Sequence, residues 1–512
     1  MFTLKNSKIW NILAAAVLVL QMAAETLTIA VVMQLDMLPA KYLMIMVLAF
    51  VLLLVPTALL LLIRIKGTVS KVRMIIACVL ALLIVAGCGL VAKVAGDAYD
   101  AVSNVTNSDN NKVTTSARDM YIFVRTEDPA KKLSDLQDYV FATIENYNTD
   151  MTEKVLARIE ESVGKAPEVK HYGKNTQLVD ALFAGEVDAL IMNGATTALL
   201  LDEATYGNFF EKVKILEQFP YESLKQPEET QPEETRPDAN LDITQKPFAV
   251  YISGSDTRSD KLTVSRSDVN ILMIVNPVTK QVLLVNTPRD CFVPNPAGNG
   301  VLDKLTHCGL YGVDCSMEAL GTLYNTQIEH YGQINFTGFE TLIDAMGGIN
   351  IYSDKAFLAQ EETYIQKGDN LLSGKEALDF ARERYNLSGG DHDRGKNQMK
   401  VIKAVIEKIT NGTTIISNYS TILESLTGMF TTDLEMGDIS KLVKMQLTDM
   451  AKWDVFTFAI TGTGASEITY SAPGMHLYVM YPDEKYVEHA SQLIQKVMDG
   501  ELLQQEDLTV PK

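Results

Sequence analysis

The chain has 512 residues, with 64 acidic and 45 basic side chains for a formal charge of −19, and it is 47% hydrophobic with a mean hydropathy of +0.05. That negative surplus excludes bulk binding to nucleic acid, which needs cations to replace phosphate counterions. Five cysteines and six scattered histidines, with no CxxC or HExxH, exclude a disulfide scaffold and argue against a zinc site.

High hydropathy and high charge coexist only if the two are segregated along the chain. Three apolar runs, Ile9–Met33, Tyr42–Ile63 and Met74–Ala95, are each long enough to cross a hydrocarbon core of roughly 30 Å. Lys5 and Lys8 precede the first run, and Arg64, Lys66, Lys71 and Arg73 fill the second connection. The first connection, Gln34–Lys41, holds one Asp and one Lys. Positive charge therefore marks the N-terminus and the second connection as cytoplasmic. Three crossings then place everything after residue 98 outside the cell. Glu25 falls inside the first span, where a charge is costly, so a protonated or interhelically bonded carboxyl near the outer interface is expected, with contact to a lipid headgroup or a partner as the alternative.

Residues 1–98 thus read as a transmembrane module, and the polar stretch Val102–Lys112 as a tether. Residues 113–219 alternate strand and helix patterns in a small extracellular α/β accessory domain. Met120–Val124, Val169–Tyr172 and Val187–Met192 read as strands, and Gln177–Phe183 as a helix stopped by Gly185. This domain carries no convincing catalytic constellation and is expected to be dispensable for chemistry. Residues 220–246 include the repeat QPEETQPEET, whose prolines and like charges predict an extended acidic linker.

The chemistry is concentrated in residues 247–502. A strand at Phe248–Ile252 precedes the loop SGSDTRSD, which contains Asp256. A long hairpin follows, Val269–Val275 and Gln281–Asn286. Arg266 and Asp268 stand two apart at its start, hence on one face of a regular strand. Arg289 and Asp290 stand at its end, opposite that start. Ser373 with Glu376 forms a capping box for a helix through Phe380, and Arg382 and Arg384 follow it. Arg394 and Gln398, four apart, share a helix face. Gly347-Gly348 reads as a left-handed helix stop. Arginine forks grip phosphate oxygens bidentately, and carboxylates hold a hard cation that bridges phosphates. Surface ion pairs are the plain alternative.

The motifs GSDTRSD with SRSD, TPRD, DKLTH, NFTGFETLIDAMGGI and EALDFARERYN with GGDHDRGKNQ together resemble the LytR–CpsA–Psr family of cell-envelope phosphotransferases. The three spans and extracellular domain resemble its subgroup with an accessory domain. The resemblance implies a larger three-layer α/β catalytic domain whose apolar pocket holds a polyprenyl chain. Matched residue by residue, Asp256 and Asp268 would hold magnesium, with manganese as the substitute. Arg266, Arg289, Arg382 and Arg384 would grip the diphosphate, with Arg394, Gln398 and Lys304 as further contacts. Asp268 or Asp290 would take the acceptor proton. Asp393 and Asn397 depart from the pattern, which puts a glycine and an arginine there. The implied reaction moves a glycopolymer, such as teichoic acid or capsule, from an undecaprenyl pyrophosphate carrier to peptidoglycan. The alternatives are a membrane-anchored transcription attenuator and a non-catalytic polyprenyl-diphosphate scaffold. His307 is as readily a structural histidine as a base. Cys291, Cys308 and Cys315 permit one disulfide and one leftover thiol.

Overall fold

The computed structural model describes residues 3–62, 68–106, 118–201, 205–224, 242–255, 266–387, 390–410 and 429–511. Arg64, Lys66, Asp256 and all of the acidic repeat lie outside the described residues.

Three helices, Thr3–Leu35, Ala40–Leu62 and Thr68–Thr106, contain apolar spans at Ile12–Leu35, Ala40–Leu62 and Val72–Asp97. They pack on one another while their leucines and valines face outward, the pattern expected where lipid is the solvent. Glu25 is buried and accepts from Gln21 Nε2 at 2.9 Å, one turn away on its own helix. The bond that crosses between helices comes instead from Thr28 Oγ1, which donates to the Cys88 carbonyl at 3.1 Å. The third helix runs on to Thr106, so the start of the expected tether is helical.

The first sheet comprises β1 (Met120–Arg125), β2 (Val140–Ile144), β3 (Glu168–Tyr172), β4 (Ala189–Asn193) and β5 (Val213–Phe219), in the order β3-β2-β4-β1-β5. Its central strands are buried on both faces, and helices Thr149–Val163 and Asn175–Ala184 cover opposite sides. The helix Tyr221–Leu224 packs Leu224 into one of these cores, so the first residues expected as linker belong to the fold.

The second sheet comprises β6 (Phe248–Ser255), β7 (Ser267–Asn276), β8 (Gln281–Asn286), β9 (His330–Asn335), β10 (Phe430–Thr432) and β11 (Asp454–Ala459). Their order is β10-β9-β6-β7-β8-β11. Alternation along β6 assigns its two faces. Ala249 and Tyr251 join one core with helices Val313–Tyr324 and Glu484–Met498, while Phe248 and Val250 join another with helix Asp391–Thr410. Helix, sheet and helix thus form three layers. Leu503, Leu508 and Val510 extend the first core beyond residue 502.

The two sheets are not independent. Ala195, at the start of helix Gly194–Leu201, is fully buried in the second sheet's core, joined by Ala198 and Leu199. A buried chain of polar groups crosses the junction. Asn193 Nδ2 donates to Tyr147 Oη at 3.1 Å, Tyr147 Oη meets Tyr311 Oη at 3.2 Å, and Tyr311 Oη meets Ser471 Oγ at 2.9 Å. Ser471 Oγ donates in turn to Asp303. The accessory domain is therefore in direct contact with the second sheet, and residues 225–241 of the expected linker lie outside the described residues. The membrane module is attached as well. Lys444 pairs with Asp36 at 2.8 Å and Lys41 donates to the Thr448 carbonyl at 2.7 Å. Helix Met436–Asp449 thereby sits on the turn between the first two membrane helices.

Candidate functional site

Antiparallel pairing brings the end of β8 back beside the start of β7. Ile271 faces Asn286, and Thr287 N donates to the Asn270 carbonyl at 2.9 Å. Arg289 Nη1 consequently reaches Asp268 Oδ1 at 2.8 Å. Asp290, next along, pairs with Lys304 Nζ and lies 3.9 Å from Arg289 Nε. Lys304 is delivered by a short strand, Leu302–Lys304, paired with Phe292–Pro294. Asp268, Arg289, Asp290 and Lys304 thus alternate in sign along one edge, all mostly buried.

The register shifts where Gly254 opposes Val269 and Ser255 opposes Ser267, leaving Asp268 in a bulge. The expectation that Arg266 and Asp268 leave on one face assumed regular alternation, and the bulge breaks it. Asp268 lines the cavity described below. Among the described residues Arg266 lines neither cavity, although it is half-buried beside the same strand start.

The capping box at Ser373 and Glu376 starts helix Gly374–Arg382. Glu383 ends it with its carboxylate buried, accepting from Gln360 N at 2.6 Å and Asn386 N at 2.8 Å. Burial alone would raise that carboxyl, but the Asn386 and Gln360 amides outweigh it and hold Glu383 below the usual carboxylate range. An anchored, ionised Glu383 leaves Arg382 and Arg384 on the other side of the strand-like segment. The Arg382 guanidinium lies 4.6 Å from the Phe336 ring centroid. Arg384 lies 4.8 Å from the Tyr385 centroid and donates to its hydroxyl at 3.1 Å.

Arg394 and Gln398 lie on helix Asp391–Thr410. Gly395 lets this helix close onto β8, since a Cβ there would stand 2.3 Å from Asn286 Nδ2. Asn397 donates to the Phe380 carbonyl at 3.2 Å, joining two helices. Asp393 lies 3.5 Å from Lys396 and 3.9 Å from Lys355.

These pieces surround two adjoining cavities. The inner one, about 240 Å³, lies between the sheet and helices Phe336–Ala345, Gly374–Arg382 and Asp391–Thr410. Ile252, Val269, Ile334, Phe339, Val401 and Ile402 give it apolar walls, and Asp268, Arg382, Arg384, Arg394 and Gln398 give it a polar end. The outer one, about 590 Å³, is lined by Arg289, Asp290, Lys304, Gly390 and Tyr478. Arg384 and Tyr385 belong to both. Eight of the ten residues singled out in the sequence therefore line these two adjoining cavities. Arg266 stands apart, and Asp256 lies outside the described residues. Tyr385, Tyr478, Gln360 and Glu383 escaped the sequence reading. Only the charge alternation in RERYN hinted at Glu383.

Among the described residues no three His, Cys, Asp or Glu side chains group as a metal cage. A magnesium ion commonly takes one or two carboxylates plus phosphate oxygens. Asp268, a hard oxygen donor at the polar end, fits that smaller requirement. His307 is a structural residue, with Nδ1 2.6 Å from Asp303 Oδ1 and both side chains buried. Asp303 also accepts from Asn295 Nδ2 at 2.9 Å and Lys304 N at 2.8 Å. The five cysteines are unbridged thiols. Burial, with help from the Asp290 charge, pushes Cys291 up to about 12, so it stays protonated and non-nucleophilic.

The LytR_cpsA_psr family model matches residues 218–487. The polyisoprenyl-teichoic acid–peptidoglycan teichoic acid transferase TagU of Enterococcus faecalis is 34% identical over 222 residues, 43% of this chain and 72% of that protein. The TagU of Bacillus cereus is 32% identical over 203 residues, 39% of this chain and 65% of that protein. Among solved structures, B. subtilis TagV has 24% identity and a TM-score of 0.42, covering 50% of this chain and 98% of that one.

Proposed function

Because the chain belongs to the LytR_cpsA_psr family, we propose that it transfers a glycopolymer of the teichoic acid type from a polyprenyl diphosphate carrier to peptidoglycan, on the outer face of the cell membrane. The observation that carries this reading is the join between an apolar cavity and a cluster of arginines at its mouth. A long isoprenoid with a diphosphate head has that same polarity along its length.

The apolar walls bind the lipid chain. Arg382, Arg384 and Arg394 grip the diphosphate and balance charge that develops as the bond breaks. Asp268, together with Asp256, would hold the magnesium, which would neutralise phosphate charge. Arg289 is held in place by Asp268 and lines the outer cavity. A sugar hydroxyl forms the new P–O bond on the glycan-side phosphorus. The P–O bond to polyprenyl phosphate breaks, and the bonding pair leaves with that phosphate. The hydroxyl proton passes to Asp290 and then to solvent. The broken pyrophosphate bond supplies the driving force, so no nucleotide is needed.

The test uses the full-length protein in detergent with a lipid-linked glycan and peptidoglycan fragments. The expected result is magnesium-dependent release of polyprenyl phosphate matched by glycan on the acceptor. Tight lipid binding without release would establish a scaffold instead.

A further inference from the structure

The outer cavity contains two groups that the phosphate chemistry does not use. Tyr478 and Tyr385 are 59% and 83% exposed, far more than an aromatic ring ordinarily is in a folded chain. Both line the space that holds Asp290 and Arg384.

Tyr478 belongs to a hairpin of strands Gly462–Thr469 and Ala472–Pro482. Its direct partner is Ser466, and Gly464 is its diagonal neighbour on the same face. A Cβ at Gly464 would stand 2.8 Å from Tyr478 Cε2 and 2.9 Å from its hydroxyl oxygen. The phenol end of the ring therefore rests where a side chain at position 464 would stand, while the exposed remainder of the ring borders the cavity. The hairpin is fastened at both ends. Near its tip, Ser471 bonds Tyr311 and Asp303, and at its base the Met480 amide donates to the Asp290 carbonyl at 2.8 Å. An exposed ring on a pinned support is a preorganised stacking surface.

We propose that Tyr478, seated on Gly464, is the platform on which a pyranose ring of the acceptor glycan stacks. This rests on the transferase reading. In-line displacement sets the attacking oxygen opposite the leaving one. The leaving polyprenyl phosphate lies toward the inner cavity, so the attacking hydroxyl enters from the outer cavity, where Tyr478 and Asp290 stand together. The donor's own glycan hangs from an equatorial position on that phosphorus and departs sideways. The apolar C–H face of a pyranose matches a tyrosine face, and its hydroxyl rim meets Asp290 and Lys304.

The experiment uses full-length protein in detergent and a soluble peptidoglycan glycan fragment. Ligand-observed NMR measures fragment binding without turnover, and the transfer assay measures KM for the fragment. Tyr478→Ala is expected to weaken fragment binding and raise that KM roughly 5–10-fold. Affinity for lipid diphosphate should be unchanged. Tyr478→Phe keeps the ring and should stay near wild type. Gly464→Ala tilts the ring and should follow Tyr478→Ala in direction. Unchanged fragment binding in Tyr478→Ala overturns the proposal, as does an equal loss of lipid-diphosphate affinity, which would put the donor on the platform. Fragment binding that depends on Tyr478 without any transfer by the wild type sustains the platform and sinks the transferase reading.

Discussion

The two sheets end in similar polar groups and use them differently. At the end of β4, Asn193 and neighbouring Tyr147 and Thr196 are closed over by Tyr311, Tyr470 and Ser471. At the ends of β7 and β8, Asp268, Arg289 and Asp290 border spaces of about 240 and 590 Å³. Polar residues at strand ends therefore do not identify a site by themselves. What distinguishes the two is whether the neighbouring layer satisfies the polar atoms or stays clear of them. In the first sheet the polar groups weld domains. In the second they pair with one another and border open space.

The sharpest way to break this comparison is at Asp303, where the weld meets the mouth. Its carboxylate is fully buried and holds Ser471, Asn295 and His307 while fixing the Lys304 amide. Asp303→Ala strands those donors and should lower stability by about 3–5 kcal/mol, read by thermal melting. A loss under 1 kcal/mol by that measurement would mean the network is incidental. Acid should act similarly on the wild type. Burial alone would raise the Asp303 carboxyl, but His307, Ser471 and Asn295 hold it below its usual value. Its contribution is then complete above about pH 4 and lost as pH falls toward the lower folded value.

Arg384 comes next, since among the described arginines it alone borders both cavities. Arg384→Lys keeps the charge but not the fork. Transfer should fall about 10–100-fold, corresponding to about 1.5–3 kcal/mol, with the melting temperature unchanged. Near-normal transfer by the lysine variant would make this residue a surface charge.

The smallest effect belongs to Tyr147, whose hydroxyl is the hinge of the buried chain. Burial pushes that phenol up, so it remains a protonated donor at any physiological pH. Tyr147→Phe should cost about 0.5–1.5 kcal/mol in denaturant titration and leave one cooperative transition. Two separated transitions would show that the sheets unfold independently and restore the dispensable-domain expectation.

Local signals explain what the sequence disclosed. The capping box, the Gly347-Gly348 stop, both with positive φ, and the hairpin that returns Arg289 to Asp268 each lie within a short stretch. The three membrane helices were equally legible because a long apolar run has few other readings. The bulge at Asp268 was hidden because nothing in VSRSD marks an extra residue. Tyr147, Tyr311 and Ser471 come from distant parts of the chain, and no period links them. Tyr478 went unnoticed because its supporting glycine, Gly464, is paired to it only through the hairpin register.

The contact between helix Met436–Asp449 and the turn at Asp36–Lys41 turns a leash into a mount. The third membrane helix packs against β10 and the same helix, so the soluble part is held at more than one place. A leashed domain would have to search a hemisphere for each lipid head. A mounted one meets that search entropy once, during folding, and thereafter presents its pocket at constant height and heading. Encounter with the carrier then becomes a planar diffusion problem, and the growing wall must come to the mouth.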